Sequence, residues 1–258
     1  MRVVERSKDP GPARPARAVR EAFLGIACPM ANEEENCIQF VEALLAACGE
    51  FREVRMFAVL DRVSKDRTQE LLEQLAEREP RLQAIWAPEN RCVVDAYVRG
   101  YRAALDAGCD WILEIDAGFS HDPSEAGRFF AKIPEGYECV FGTRFARGGH
   151  IEDGSWKRRI ISRFGGLLTN VVLGTRLSDM TSGYELFSRD ALEMVLAKGI
   201  QSRAHFFQTE IKVSCRKLKC AEVPITYRCP SPRLGRKAVG EAFRRLGAMA
   251  WDRMRGRL

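Results

Sequence analysis

The residues of this 258-residue chain best placed for chemistry stand where apolar runs stop. In Trp111-Ile112-Leu113-Glu114-Ile115-Asp116 a run ends on an acid, and the small step Ala117-Gly118 leads on to Ser120, His121, Asp122 and Pro123. Such a run reads as a buried strand. A carboxylate just past the C-terminal end of a strand in an open α/β sheet lies in the crevice where ligands bind, and its usual work there is to hold a divalent cation against phosphates. Asp61 ends a second run, 54–60, inside Asp61-Arg62-Val63-Ser64-Lys65-Asp66-Arg67-Thr68. Pro29, Asn32 and Glu33 follow a first run, 23–28. Singly, Asp61 and Asp66 are explained by turn chemistry and helix capping. In order, at matching strand ends, they point to one cleft.

A basic set comes next. Gly142-Thr143-Arg144 closes another run, Arg147-Gly148-Gly149 follows, and Trp156-Lys157-Arg158-Arg159-Ile160-Ile161-Ser162 opens a helical stretch. Arg158 and Ser162 are four apart and share a helix face, and an arginine fork beside a hydroxyl suits a phosphate. Solvated charge at a helix start is the plainer account. In Asp179-Met180-Thr181-Ser182-Gly183-Tyr184 the short polar residues Asp179, Thr181 and Ser182 are expected to line the cleft opposite Asp116, an ordinary loop being the alternative. Other chemistries are excluded. No GxxxxGK[ST] occurs and no GxGxxG follows a strand. Ser120, His121 and Asp122 are consecutive and cannot converge as a triad. His121, His150 and His205 stand apart with no HExxH, which excludes a histidine zinc site.

The pattern that must position these groups is that of one large soluble domain. Hydrophobic residues make up 46% and charged residues 29%, and the formal charge of +6 is concentrated at the ends. Residues 1–20 carry six basic residues among Pro10, Pro12 and Pro15 and read as a disordered basic tail. Nine cysteines, an odd number with no CxxC, argue for reduced thiols and a cytoplasmic protein. No apolar run is long enough to span a membrane. Strands are expected at 23–28, 54–60, 82–86 and 111–115, and one ending near 143. Helices alternate with them, which is the signature of a mostly parallel, doubly wound α/β sheet with helices on both faces. Asn32 is expected to cap the first helix, with Glu33, Glu34 and Glu35 in its first turn. After 155 come a long helix to 173, a strand at 184–187, helices near 189–197 and 205–218, and a strand at 222–227. A helix over 236–258 places Val239, Ala242, Phe243, Leu246, Met249 and Ala250 on one face and Arg244, Arg245, Arg253, Arg255 and Arg257 elsewhere. A basic amphipathic helix of this kind rests on an anionic membrane surface or packs on its own domain.

The order of these motifs resembles the family 2 inverting glycosyltransferases of GT-A fold, within them the dolichyl-phosphate mannose synthase-like group. The resemblance covers about 23–240. It runs through Pro29 to Glu33, Asp61 to Thr68, Asp116 to Pro123, Gly142-Thr143-Arg144, Trp156 to Ser162, Asp179 to Gly183, Glu222-Val223-Pro224-Ile225 and Arg233-Leu234-Gly235. It implies a domain over 21–235 that moves a sugar from a nucleoside-diphosphate sugar to a polyprenyl phosphate at the cytosolic membrane face. Pro29, Asn32, Glu33, Asp61, Asp116 and Arg233 would bind the donor, and Arg144, Arg158 and Ser162 the acceptor phosphate. Asp116, Arg144, Arg158 and Ser162 would carry catalysis. Mg2+ or Mn2+ would sit on Asp116. The implied partners are the two substrates and an anionic membrane surface, with no nucleic acid. The chain departs from the family pattern at Gly118, where a second acid is expected, and at Ala31, Arg62 and 90–94. A soluble acceptor, or a non-catalytic member that only binds nucleotide or lipid phosphate, remain as alternatives.

Overall fold

The computed structural model describes residues 19–152, 156–228 and 236–258, those at 156–162 and 236–237 by backbone alone. The expected basic tail, but for Val19 and Arg20, and Arg233 lie outside the described residues, as do the side chains of Arg158 and Ser162.

Seven strands form the central sheet: β1 (Phe23–Pro29), β2 (Glu53–Leu60), β3 (Leu82–Trp86), β4 (Trp111–Glu114), β5 (Cys139–Thr143), β7 (Glu185–Ser188) and β8 (Cys220–Pro224). Their order across the sheet is β3-β2-β1-β4-β7-β5-β8. All neighbours pair in parallel except β7, which runs antiparallel to β4 and to β5. A small second sheet pairs β6 (His150–Ile151) with β9 (Thr226–Tyr227). The stretch expected as one strand at 222–227 is thus divided, its last residues turning away to meet β6.

Helices cover both faces because side chains alternate along each strand. Leu24, Ile26 and Cys28 of β1 join Trp111 and Leu113 of β4 on one face. There they meet α1 (Cys37–Ala47) through Phe40, Val41 and Leu44, α2 (Thr68–Ala76) through Leu72 and Leu75, and α4 (Ala126–Phe130) through Phe129 and Phe130. Ala27 and Ile112 face the other way, into a core built with α3 (Val93–Asp106), α6 (Arg189–Lys198) and α7 (Phe207–Ser214). Burial of these apolar faces, at about 25 cal/mol per Å², holds the layers together.

Two longer helices lie apart from the sheet, α5 (Trp156–Leu173) and α8 (Arg236–Met254). They pack on each other and on the domain through Leu173, Met249 and half-buried Leu246. Arg253 Nη1 donates to the carbonyls of Val171 and Val172, 2.8 Å each, which satisfies orphan acceptors at the end of α5. Much of their apolar surface stays outside: Phe164, Leu167, Leu168 and Val171 on α5, and Phe243, Trp251 and Met254 near or beyond the middle of α8, are exposed.

Asn32 does not cap α1. The helix starts at Cys37, with Asn36 before it. Asn32 instead adopts a left-handed backbone, φ 60°, which asparagine tolerates better than most residues. Its amide stitches the β1 loop to the β2 loop: Oδ1 accepts from Lys65 N at 2.9 Å and Nδ2 donates to the Val63 carbonyl at 3.2 Å. Long-range pairing has replaced local capping.

Candidate functional site

The chain order creates the crevice. From β1 it steps to β2 and β3 on one side, and β4 then returns to the other side of β1. Between β1 and β4 lies the switch point where loops from adjacent strand ends diverge and leave room for a ligand. Asn32 and Glu33 leave β1 there, Asp61 leaves β2 and Asp116 follows β4, all at one edge.

Asp116 stands two residues past β4 with its side chain 41% exposed. The Tyr97 hydroxyl, reaching from α3, donates to its Oδ1. His121 Nε2 lies 3.5 Å from Oδ2. The imidazole is buried between the rings of Tyr184 and Tyr227, with centroids at 5.4 and 5.1 Å. Burial opposes charge on Asp116, but the His121 ring and the Tyr97 hydroxyl outweigh it and leave the carboxyl below its ordinary value. It is ionised at neutral pH. Gly183 packs against the same carboxylate, since a Cβ there would stand 3.1 Å from Oδ2 and 3.0 Å from the Gln208 amide nitrogen. A larger residue at 183 would displace Asp116.

Asp61 and Asp66 shape the β2 loop. Asp61 is buried, and its Oδ1 accepts from Val63 N at 2.9 Å, an Asx turn. Asp66 accepts from Thr68 Oγ1 at 2.7 Å, Thr68 N, Ser64 Oγ and, across the cleft wall, Glu34 N at 3.0 Å. Glu33 is fixed by its backbone, its N–H donating to Thr68 Oγ1 at 2.7 Å. Pro29 closes β1 and pairs with Val59.

Arg144, expected on the acceptor side, and the Asp179 loop form a second knot. Arg144 meets Asp179 with both edges of its fork, Nε to Oδ2 at 2.7 Å and Nη2 to Oδ1 at 2.8 Å, and Nη2 also donates to Thr181 Oγ1 at 2.7 Å. Its guanidinium lies 5.4 Å from the ring centroids of Phe145 and Tyr227, close enough for cation–π attraction. Burial works against charge on Asp179, yet the Arg144 guanidinium, with help from Lys212, holds its carboxyl at about 2. Of the three residues expected to line the cleft, Thr181 is exposed. Asp179 and Ser182 are buried because they serve the loop itself: Asp179 anchors Arg144, and the Ser182 carbonyl accepts from Lys212 Nζ at 2.8 Å. Lys212 is wholly buried and also pairs with the Glu185 carboxylate. Thr209 Oγ1 donates to the Met180 carbonyl at 2.9 Å, so α7 fastens this loop from below.

Four contributors were not read from the sequence as site residues. Tyr97 and Lys212 sit on helix faces that look like core, His121 was dismissed as isolated, and Gly183 looked like loop punctuation. The one usable signal was the pair Tyr97 and Tyr101 on α3, hydroxyl-bearing rings four apart on a face otherwise apolar.

The pattern of Glycosyl transferase family 2 matches residues 26–196, from β1 to α6. Polyprenol monophosphomannose synthase of Mycolicibacterium smegmatis is 27% identical over 223 residues, covering 85% of this chain and 81% of that protein. Undecaprenyl-phosphate mannosyltransferase of Micrococcus luteus is 29% identical over 209 residues, covering 78% of this chain and 86% of its own. In fold, the chain is similar to glucosyl-3-phosphoglycerate synthase from Mycobacterium tuberculosis, crystallised with Mn2+, uridine diphosphate and phosphoglyceric acid. The TM-score is 0.63 at 14% identity, over 92% of this chain and 80% of that one. A switch-point cleft with an ionised aspartate past β4 is thus found in a chain of which more than half carries one family's pattern: it belongs to glycosyl transferase family 2 and is a glycosyltransferase of GT-A fold.

Proposed function

We propose that this enzyme transfers a sugar from a nucleoside-diphosphate sugar to a polyprenyl phosphate, with inversion at the anomeric carbon, while resting on the cytosolic face of a membrane. The observation that carries it is the pairing of an ionised, half-exposed Asp116 with an arginine held rigid across the same cleft. Burial works against charge on Arg144, but Asp179 chiefly, with smaller help from Tyr227 and Asp116, raises its affinity for the proton. The names of the two mannosyltransferase relatives support a polyprenyl-phosphate acceptor.

The chemistry asks little of a general base. A phosphate monoester has its second pKa near ~6 and is mostly dianionic at neutral pH, so the nucleophile needs positioning rather than deprotonation. Arg144 suits that task. Nε and Nη2 are engaged by Asp179 and Thr181, while Nη1 has no hydrogen bond among the described residues and is left as a donor for phosphate oxygen. Arg158 and Ser162 are proposed beside it from their motif. Asn32, Glu33 and Asp61 are proposed on the donor side, where their loops are tied together.

The neighbour's complex with Mn2+ and uridine diphosphate supports a divalent cation here, Mg2+ or Mn2+. Asp116 fits that role, being an ionised oxygen ligand open to the cleft. No three His, Cys, Asp or Glu side chains among the described residues gather as a metal site, so most of the cation's shell would be diphosphate oxygens and water. When bound, the cation would neutralise charge on the departing diphosphate.

No helix among the described residues is long and apolar enough to cross a membrane. Contact with an anionic surface is proposed through the exposed apolar residues of α5 and α8 with the arginines around them. The test is transfer of labelled sugar to a short-chain polyprenyl phosphate by purified enzyme. Wild type is expected to form lipid-linked product and Asp116→Ala to form none while melting normally. No lipid-linked product from any common donor refutes the acceptor.

A further inference from the structure

Gly118 stands where the family pattern has an acid, and its surroundings explain why an acid is missing. Its backbone is left-handed, φ 79°, and a Cβ built on it would lie 2.6 Å from Glu33 Oε2, 2.7 Å from Oε1 and 2.9 Å from Cδ. A Cβ there would push the Glu33 side chain aside, and the left-handed backbone itself disfavours a side chain at 118. The volume that a side chain at 118 would fill is therefore already filled by a carboxylate, that of Glu33. This contact spans the switch point, since Glu33 belongs to the loop leaving β1 and Gly118 to the loop leaving β4, and the two strands pair side by side up to Ala27 and Glu114.

Glu33 is held there by its main chain. Its N–H is fixed by Thr68, and its carbonyl accepts from Asn36 N at 3.0 Å and Cys37 N at 2.7 Å. Its carboxylate, by contrast, accepts no hydrogen bond from any described residue. Burial, and then the charge of Asp66, push that carboxyl above its ordinary value, as befits an anion without a cation beside it. Glu33 thus reaches a residue only two positions past Asp116.

We propose that Glu33 supplies, from the β1 loop, the second carboxylate of the cation–diphosphate site that begins at Asp116, with Gly118 making the room it needs. This rests on the cation and nucleotide reading above. The Glu33 carboxylate lies where the side chain of an acid at 118 would begin. A hard cation is indifferent to which loop provides its oxygen, provided that distance and charge are right.

The test follows Mn2+ binding by electron paramagnetic resonance on the full chain, with UDP and separately with GDP present, for wild type, Asp116→Asn, Glu33→Gln, and the double variant Glu33→Ala with Gly118→Asp. Aspartate tolerates a left-handed backbone better than most residues, so the double variant returns the acid to 118 once Glu33 has vacated the space. Melting without ligand confirms that each protein folds. Wild type is expected to bind Mn2+ in the presence of nucleotide, and both Asp116→Asn and Glu33→Gln to bind at least tenfold more weakly. The double variant is expected to recover to within about threefold of wild type. Loss in Asp116→Asn with no loss in Glu33→Gln overturns the proposal and leaves the cation reading standing. Absence of Mn2+ binding to wild type with either nucleotide overturns both. A folded double variant that fails to recover also overturns the exchange of positions.

Discussion

Replacing Asp179 by asparagine keeps the shape of the acceptor-side knot and removes the charge that Arg144 grips. The size of the effect follows from burial. The Asp179 side chain has no exposed surface and that of Arg144 only 13%, so solvent screens the pair little. A carboxyl held at about 2 in the fold, against 3.8 ordinarily, contributes about 2 kcal/mol at neutral pH. Because the folded value is the lower one, this contribution is complete above the unfolded value and is lost as pH falls through about 2. Asparagine also strands the guanidinium, and breaking one side of a buried pair costs about 3–5 kcal/mol. Urea unfolding followed by tryptophan fluorescence is expected to find Asp179→Asn less stable than wild type by about 3 kcal/mol at pH 7. By pH 3 the gap should narrow by about 1 kcal/mol, since wild type loses part of its own contribution while the variant has none to lose. Other carboxylates titrate in both proteins and cancel. A gap below about 1 kcal/mol, or one that does not change with pH, refutes the reasoning.

Lys212→Met leaves the buried Glu185 carboxylate without its cation and is expected to cost about 3–5 kcal/mol. Adding Glu185→Leu should restore much of it, and a double variant as unstable as the single one would contradict this in the same urea assay. Tyr97→Phe removes a hydroxyl donor from Asp116, a hydrogen bond to charge worth about 1.5–3 kcal/mol. Sugar transfer is expected to fall at least tenfold in a protein that still folds, and unaltered kinetics would dismiss Tyr97 as a positioning residue. Mass-mapped alkylation at mild pH is expected to label Cys220 before Cys28, Cys48 or Cys109. The half-buried Cys220 thiol is lowered by a hydrogen bond from Cys139, whereas burial raises the others, Cys109 to about 12. Early labelling of Cys48 would count against it.

Most strands of the central sheet were legible as short, largely apolar runs, and 82–86 agrees with β3 residue for residue. The direction of β7 was not, because nothing within four residues says whether a neighbour runs parallel. Asn32 misled for a related reason. Its type suits a helix cap, and only the β2 loop, brought close by the sheet, could show that its amide works there instead. Asp179 and Ser182 looked like surface loop residues because burial of a polar group depends on partners such as Arg144 and Lys212 that lie far along the chain. The same holds for Glu33 and Gly118. The sequence reveals an acid missing at 118 and an acid present at 33, and only the fold puts the two positions in contact.

The antiparallel β7 has a consequence for how the enzyme is born. Its two sheet neighbours are β4 and β5, and β5 reaches the first four strands only through it. As the chain leaves the ribosome, β1 to β4 can pair at once, but β5 must wait with no edge to join until residues 185–188 emerge and slot between. Because β7 runs backwards, the loop before it, rather than the loop after it, arrives at the cleft. Insertion of this one strand therefore closes the sheet and delivers the Asp179 loop to Arg144 in a single late event. A nascent chain released before that point exposes two open strand edges, a form prone to aggregation. Folding yield and assembly of the acceptor side should thus rise and fall together.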